Sequence, residues 1–515
     1  MAARFWVTGG TGNWNSTTNW AATSGGASGA SVPGSSDTAA LDASSGAGTV
    51  TLDISPTIQT LTCTGFTGTL AFGTNTISLN STGTIFTGAT TMTVTGTPLI
   101  ICTNATATTR TITPGIVTEA NSISFRVTAG TGSMVFTAGS VRDSDFTDGT
   151  NPTGFAGNVT NTAVTIYGNF KASTGMTRTA GTQAYTFAAT SGTKTINTAG
   201  VTFDNPFTFN GVGGTWQIQA ALTSGATRTC SLSNGTLDLA SYTLTTGIFG
   251  SSNTNARTLA FGTGKIVITG NNATVCTTNT GTNLTITGSK RVELSYSGSV
   301  GTRTISGATT GTLIEGTNLL DYYVTAGTDT FNINGARGYD TCDLTGFGGT
   351  FSSTSPAIYG DLVLSSEATF STSGFSPIFR STSGTKTITT NGKTIDGNVQ
   401  FNGVGGTWAM QDALTIGSTF TLTLTSGALQ LKAGTTNTVD SFATTGTNAK
   451  FLTSTTYGSA ATISATTGTF VVDYLTVQDN IATGGATWDA LAITNVDAGN
   501  NTGWLFSSIP SVGNE

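Results

Sequence analysis

The chain has 515 residues, of which 9% are charged and 37% hydrophobic, and its formal net charge is −6. This acidic balance argues against nucleic acid as a partner, because binding phosphates needs a basic face. The chain has no histidine, which excludes Ser-His-Asp and Cys-His nucleophile systems.

The same composition predicts an all-β protein. The mean hydropathy of +0.08 is close to neutral, so the polarity comes from Thr, Ser, Asn and Gly rather than from ions. Threonine suits the solvent face of a strand because it is β-branched and polar, and Asn and Gly suit tight turns. The 27 phenylalanines argue against disorder, which is poor in aromatic residues.

Residues 1–68 form a distinct opening region. Trp6, Trp14 and Trp20 surround a cluster of glycines, and residues 49–54 then alternate polar and apolar side chains as a strand does. Repeat folds need a cap over the apolar cross-section at each end. We therefore predict an N-terminal cap or attachment region here, with an exposed aromatic ligand platform as the alternative.

A long internal repeat organises the middle of the chain. The octamer Phe-Asn-Gly-Val-Gly-Gly-Thr-Trp occurs at residues 209–216 and again at 401–408. The repetition predicts that Trp216 and Trp408 serve packing, with sugar stacking as the alternative. The matches define two units, 69–257 and 258–447. Further matched pairs are 69–74 with 258–263, 95–96 with 287–288, 110–112 with 303–305, 127–131 with 324–328, 166–168 with 358–360, and 191–196 with 383–388.

The sequence of each unit predicts short strands that are interrupted by Gly or Asn about every 8–12 residues. This pattern is typical of a β-solenoid or of an array of β-sandwiches. No linker or separate aromatic core marks off a sandwich domain, so we predict an elongated parallel β-helix (β-solenoid) with capped ends. With coils of roughly 20 residues the chain would make about 25 coils. Tandem β-sandwich domains are the alternative.

Residues 448–515 form the closing region. Residues 471–477 are predicted to be a strong strand, and tryptophan reappears at Trp488 and Trp504 after a gap that begins at Trp408. We predict a C-terminal cap that contains these tryptophans and ends in a short tail.

One acidic cluster, Asp143, Asp145 and Asp148, could carry chemistry. Paired carboxylates serve glycoside hydrolysis, and hard oxygen ligands bind Ca²⁺. The second unit has a related segment at residues 340–345, however, and an acid that recurs in both units is more simply a turn device. We therefore predict no catalytic, cofactor-binding or metal-binding residues, no cofactor and no enzymatic activity, with glycan cleavage as the alternative.

The five cysteines are widely separated in the sequence and form no CxxC pair. This spacing does not indicate a zinc site or a dense disulfide framework. We expect buried, reduced thiols that pack as small hydrophobic groups. They are Cys63, Cys102, Cys230, Cys276 and Cys342.

Several of these pieces resemble virion appendage proteins encoded by bacteriophages of aquatic environments. They are Trp6-x-x-Gly9-Gly10-x-Gly12-x-Trp14-Asn15 with Asn19-Trp20, Pro33 and Asp37, the two octamers, and the closing Gly-Asn-Asn-Thr-Gly-Trp at residues 499–504. The opening is also similar to β-strand repeats of autotransporter-like surface proteins. The resemblance implies a β-helical tail fibre, tailspike or head appendage that forms a homo-oligomer, and it supplies no catalytic residues.

From these features we expect a structural component of a phage virion that is used for host adhesion. The expected partners are further copies of the chain, as a trimer, other virion proteins and a host surface glycan, with no nucleic acid and no membrane insertion. We expect a virion location after assembly in the host cytoplasm, since no stretch reads as a signal peptide or transmembrane segment. A bacterial surface adhesin and a polysaccharide-cleaving tailspike remain the alternatives.

Overall fold

The structure, a computed structural model, describes residues 1–7, 9–150, 152–271, 273–309, 313–335, 337–370 and 374–507. Within them the chain is 47% strand and forms a parallel β-solenoid of about 20 turns. The predicted fold class is therefore confirmed. Short 3-10 helices occur at Thr17–Asn19, Ala43–Ser45 and Glu119–Asn121.

The chain divides into two compact units. The first comprises Met1–Gly247 with Asn255–Gly264, and the second comprises Ile248–Thr254 with the chain from Lys265 onward. The boundaries assigned from the repeat, 1–68, 69–257, 258–447 and 448–515, stay a prediction. The strands of the first unit are Ala3–Trp6, Gly12–Asn13, Trp20–Ala21, Thr38–Ala40, Thr49–Thr51, Thr57–Ile58, Thr60–Thr62, Thr69–Ala71, Ile77–Leu79, Gly83–Thr87, Thr93–Thr95, Leu99–Cys102, Arg110–Thr113, Ser124–Val127, Ser133–Phe136, Gly139–Val141, Ser144–Asp145, Asn158–Asn161, Val164–Ile166, Phe170–Lys171, Thr177–Arg178, Tyr185–Phe187, Thr193–Asn197, Phe207–Ile218, Leu222–Thr223, Thr229–Asp238, Thr243–Thr246 and Arg257–Ala260. Those of the second are Ile248–Gly250, Lys265–Ile268, Thr274–Thr277, Leu284–Thr287, Arg291–Leu294, Thr302–Ser306, Ala308–Thr309, Asp321–Val324, Thr330–Ile333, Arg337–Tyr339, Cys342–Asp343, Thr350–Ser353, Ala357–Ile358, Leu362–Val363, Thr369–Phe370, Ile378–Phe379, Thr385–Thr389, Thr394–Ile395, Val399–Met410, Thr415–Ile416, Thr421–Leu431, Thr436–Thr438, Ser441–Thr444, Lys450–Ser454, Ala461–Ala465, Thr469–Val471, Leu475–Val477, Asn480–Gly484, Thr487–Ala490, Val496–Asp497 and Trp504–Phe506.

In-register columns of apolar side chains fill the interior of each unit. In the first unit Leu61, Phe86 and Ile112 stack on successive parallel strands, and each is at most 1% exposed. Burial of such side chains supplies the main driving force for folding. The second unit has a longer column of this kind, formed by Ile266, Val292, Tyr322, Cys342, Leu362, Ile388 and Met410.

The outward positions of the same strands carry threonine. Thr62 pairs with Thr87, and Thr87 pairs with Thr113, so that these half-buried side chains form a column on the surface of the first unit. The period-2 alternation of strands places Thr outside and aliphatic or aromatic residues inside. The abundance of threonine is therefore a property of the solenoid surface.

The coils are longer than the sequence predicted, and this prediction needs correction. In the first unit, the Thr128 hydroxyl reaches the oxygen of Cys102 on the preceding coil across 26 residues of sequence. In the second, the Thr325 hydroxyl reaches the oxygen of Leu294 across 31 residues. Corner loops of varying length account for the difference, so that about 20 turns form and not the larger number predicted.

The first octamer lies within a long strand, Phe207–Ile218, that turns a corner of the coil. Gly213 adopts a φ of +86°, and a Cβ on Gly211 would lie 1.9 Å from the carbonyl oxygen of Ala189. The glycines are therefore required by the turn and by the close approach of the neighbouring coil. Trp216 is fully buried, with its ring centroid 4.8 Å from that of Phe187.

The second octamer has the same geometry in Val399–Met410. Gly405 has a φ of +91°, and a Cβ on Gly403 would lie 1.9 Å from the oxygen of Ser381. Trp408 is fully buried. The prediction that both tryptophans serve packing is confirmed, and sugar stacking on them is wrong.

The opening tryptophans pack against one another. The strands that carry Trp6 and Trp20 pair in antiparallel fashion, and their ring centroids are 5.2 Å apart, while Trp14 and Trp20 are 4.8 Å apart. All three side chains are 0% exposed. The aromatic cluster is therefore core, as a cap requires, and the exposed ligand platform is wrong.

The closing tryptophans behave similarly. Trp488 and Trp504 occupy paired positions on parallel strands, with ring centroids 5.1 Å apart, and both are buried. The Trp504 indole Nε1 donates to Asn480 Oδ1 at 2.9 Å. The predicted tail falls mostly on residues 508–515, which lie outside the described residues.

Among the described residues, four cationic side chains are buried inside the coils, in two pairs that are related by the repeat. Arg110 and Arg303 occupy matching positions of the repeat, as do Arg257 and Lys450, and each is at most 2% exposed. Backbone carbonyls take up much of their hydrogen bonding; Arg110, for example, donates to the oxygen of Asn104 at 2.7 Å. Buried charges are tolerated when they are hydrogen-bonded or paired in this way.

All five cysteines are free and buried, which confirms the expectation of reduced thiols packed in the core. Burial raises the pKa of the Cys63 and Cys230 thiols to about 12. A thiol held neutral in this way is a poor nucleophile.

Candidate functional site

The acidic cluster singled out in the sequence is divided by the fold. Asp143 and Asp145 line a surface cavity of about 450 Å³ in the first unit, whereas Asp148 is exposed and does not line it. We call this cavity the groove. Its remaining lining residues are Thr74, Thr76, Thr97, Pro98, Leu99, Ser124, Phe125, Arg126, Arg142, Asn169 and Lys171.

Parallel pairing sets the order of charges along the groove. Arg126 pairs in register with Asp145, and Asp145 pairs with Lys171. Since in-register residues of neighbouring strands point to the same face, the three side chains form an outward column with charges of alternating sign. Adjacent members are separated by the strand spacing of about 4.8 Å.

Asp145 is 7% exposed, and its oxygens are already engaged. Oδ2 accepts from the Arg126 Nε at 3.0 Å, while Oδ1 accepts from the Thr147 backbone amide at 2.9 Å and from its hydroxyl at 2.6 Å. This is the pattern of an acid that closes a turn. Asp148 makes the same turn with Thr150.

Asp143 is also hydrogen-bonded on both oxygens. Oδ2 accepts from the Ser124 hydroxyl at 2.6 Å, and Oδ1 accepts from the Asn169 backbone amide at 2.6 Å and from its side-chain amide at 3.2 Å. Asn169 Oδ1 in turn accepts from the amide and the hydroxyl of Thr195. The groove carboxylates thus act as hydrogen-bond acceptors that tie neighbouring coils together.

Two cations in the groove are not matched by a carboxylate. Among the residues that the structure describes, no carboxylate lies within ion-pairing distance of Arg142 or Lys171. The Lys171 side chain is exposed, and Arg142 Nη2 donates to the backbone oxygens of Glu119 and Ala120 at 3.4 and 3.3 Å. These two side chains therefore supply charge that is available to a ligand.

A second hollow of about 360 Å³ adjoins the groove and shares Arg142, Asp143 and Asn169 with it. Glu119 forms one wall: its Oε2 accepts from the amide of Thr190 at 3.1 Å and from the hydroxyl at 2.6 Å, across 71 residues of sequence. This contact holds the Glu119 loop over the coils. The hollow is completed by Ala120, Tyr167, Gly168 and Lys194.

The Glu119 contact recurs in the second unit and was not predicted from the sequence. Glu315 Oε2 accepts from the amide of Thr382 at 2.8 Å and from its hydroxyl at 2.6 Å, across 67 residues. The contact cannot be recognised in the sequence, because the two residues are far apart along the chain and become neighbours only when the coils stack. This contact between a glutamate and a threonine is therefore part of the framework that both units share.

The charged column of the groove does not recur. The second unit has a column with the same parallel pairing and the same acid turn, in which the Asp343 Oδ1 accepts from the amide of Thr345 at 2.8 Å. The acid is kept, but uncharged residues flank it. The members of that column are Tyr323, Asp343 and Val363.

Arg142 is also specific to the first unit. The backbone amide of Gly168 donates to the oxygen of Arg142 at 2.7 Å, and in the second unit that of Gly360 donates to the oxygen of Asp340 at 3.1 Å. An aspartate thus takes the place of the arginine. Groove acids such as Asp145 belong to the repeated turns, whereas the groove cations distinguish this site.

In the second unit, the side chain of Asp321 carries an unfavourable negative charge. Burial raises its pKa from 3.8 to about 6, with Asp340 adding repulsion and the Thr341 amide bond opposing it. Because the folded pKa is raised, the stability linked to protonation is present at low pH and is lost as pH rises through about 6. Asp321→Asn should therefore stabilise the protein by about 1–3 kcal/mol at pH 7.5.

Thermal unfolding of wild type and Asp321→Asn, measured between pH 4 and 7.5, tests this expectation. Asn keeps the Oδ1 acceptor for the Thr341 amide, which donates to Asp321 at 3.0 Å. The advantage of the variant should vanish near pH 4. An equal difference in Tm at both ends of the range would contradict the assignment.

Within the described residues, no group of three or more His, Cys, Asp and Glu side chains is arranged to hold a metal ion. No helix in the described part of the chain is long and apolar enough to cross a bilayer. Comparisons with protein-family models, curated proteins and solved structures gave no match to this chain. The β-solenoid architecture fits a fibre-like or adhesin-like structural protein.

Proposed function

We propose that this protein is a structural appendage of a bacteriophage virion, a β-helical fibre or spike that contacts the host surface. The observation that carries the proposal is the in-register stacking of coils. The column from Ile266 to Met410 runs through seven parallel strands without a break. Within this column each coil is hydrogen-bonded to the next, which gives a stiff scaffold whose stability is the sum of coil and interface terms.

The opening region supports an appendage that does not polymerise through the sheet edge at this end. Exposed edges of parallel strands template pairing with further chains. At the beginning of the chain, the strand of Trp20 folds back antiparallel onto that of Trp6, and the buried Trp14 packs beside it. Such a cap limits the end-to-end pairing of sheets from different chains. It leaves the opening region free to attach to another virion protein.

The outward-facing side chains of the solenoid support the proposed role in adhesion. Outward columns of threonine such as Thr62, Thr87 and Thr113 offer hydroxyls that both donate and accept hydrogen bonds, which suits contact with a host glycan. The groove adds a concave, charged place on this otherwise weakly charged surface. The proposed partners are a host surface glycan, other virion proteins and two further copies of the chain.

Analytical ultracentrifugation of the purified full-length chain tests the appendage proposal. We expect a homotrimer with three times the chain mass of 52.0 kDa and a frictional ratio well above that of a globular protein. A compact monomer would contradict the proposal. Negative-stain microscopy of the same sample gives an independent view of the particle shape.

A further inference from the structure

We infer that the groove of the first unit binds an extended anionic glycan whose carboxylate or sulfate groups are held by Arg142 and Lys171. The inference rests on the proposed adhesive function and names the chemistry of its ligand. It depends on the charge of the groove, on its shape and on the absence of the same cations from the second unit.

The charge of the groove opposes that of the whole chain. Three cations, Arg126, Arg142 and Lys171, line it together with two carboxylates, although the chain has a formal net charge of −6. Arg126 is paired with Asp145, and the two carboxylates already accept three hydrogen bonds each. The unused capacity therefore consists of cationic donors, which favour a ligand with anionic acceptors.

The shape of the groove fits a chain-like ligand. Arg126 and Lys171 lie two strand spacings apart along the column, or about 10 Å, and Arg142 joins the groove to the adjoining hollow. Thr74 and Thr97, which carry hydroxyls, and Pro98, which carries an apolar ring, also line the groove. Cations spread along a trough, with hydroxyls beside them, suit a saccharide with repeated negative groups.

The lining favours a saccharide over a single-stranded nucleic acid. Proteins that bind single strands stack the bases on exposed aromatic rings, but Phe125 is only 1% exposed. The Lys194 side chain in the adjoining hollow extends the cationic track.

The structural role of these cations in the fold is small. Within the described part of the chain, the Arg142 side chain makes only the two long bonds to backbone oxygens, and Lys171 is exposed. The matching positions of the second unit hold Asp340 and Val363, so the coil forms without a cation there. Substitution of Arg142 and Lys171 should therefore leave folding intact.

Titration calorimetry with oligogalacturonate, dextran sulfate and a neutral maltooligosaccharide of similar length tests the inference. We expect at least one anionic probe to bind more tightly than the neutral one, and Arg142→Gln and Lys171→Gln each to weaken it by about tenfold. Lys432→Gln, which removes one charge from an exposed position of the second unit, is the matched control and should bind as the wild type does.

Three results would overturn the inference: no preference for either anionic probe over the neutral one, unchanged binding by the Arg142→Gln/Lys171→Gln double variant, or equal binding of a single-stranded oligodeoxynucleotide. Sedimentation of the same samples separates the two proposals. An elongated trimer without anionic-glycan binding overturns the groove assignment alone. A compact monomer that binds the probes overturns the appendage proposal and keeps the groove assignment.

Discussion

Replacement of Asp329 by alanine should lower the free energy of unfolding by about 3–5 kcal/mol, because it leaves a buried charge without its partner. The Arg303 guanidinium donates to Asp329 through Nε and Nη2, each at 2.8 Å, and both side chains are 0% exposed. Since an arginine does not lose its proton in a protein, its charge would stay in the core. Urea unfolding followed by far-UV circular dichroism measures the loss.

The matched control for this variant is Asp204→Ala. The Asp204 carboxylate accepts from Arg228 Nε at 2.7 Å, but the side chains are 39% and 18% exposed, so removing it should cost less than about 1 kcal/mol. Equal losses for the two variants would show that the Asp329 pair is not isolated from solvent.

Replacement of Trp408 by alanine should cost about 3–5 kcal/mol, as expected when a large buried aromatic side chain is removed from a packed core. Trp408 is 0% exposed, and its ring centroid lies 5.5 Å from that of Phe401 and 5.9 Å from that of Phe379. The space cannot close easily, because strand pairing fixes the backbone on both sides. The same unfolding measurement applies.

Val404→Ala provides a control within the same octamer. Val404 is 62% exposed, so its truncation should change stability by no more than about 0.5 kcal/mol. If Trp408→Ala were as mild as Val404→Ala, the octamer would not be the packed corner described above.

The sequence predicted the architecture because the solenoid repeats simple local rules. Alternation of Thr with aliphatic residues indicated strands with one buried face, and the octamers at Phe209 and Phe401 indicated repetition rather than a binding motif. Identical glycines recur because a Cβ on Gly211 or on Gly403 would lie 1.9 Å from a carbonyl oxygen of the preceding coil. Local patterning and steric need here point to the same fold.

The coil length could not be predicted, because corner loops vary without changing the strands. The matched segments around Arg110 and Arg303 were recognised in the sequence, but their burial was not, since arginine is seldom fully buried. The backbone carbonyls that accept from Arg110 belong to Asn104 and Ala129, which are adjacent only once the coil has formed.

The sequence indicated the carboxylates of the candidate site but not its cations. Asp143 and Asp145 attracted notice as neighbours, yet both take part in hydrogen bonds that hold the coils. Arg126 and Lys171 are distant in the sequence and share a column only because two turns of parallel pairing separate them. A comparison of the two repeats for unmatched charges, once the register is known, would have found them.

The measurement that tests the account most directly is a cryo-electron microscopy structure of the assembled full-length protein. We expect parallel coils stacked at about 4.8 Å in each of three copies, with the groove at Arg126, Arg142 and Lys171 open to solvent. Antiparallel sandwich domains would contradict the parallel β-solenoid, and a groove buried between copies would contradict a binding site that is open to a ligand.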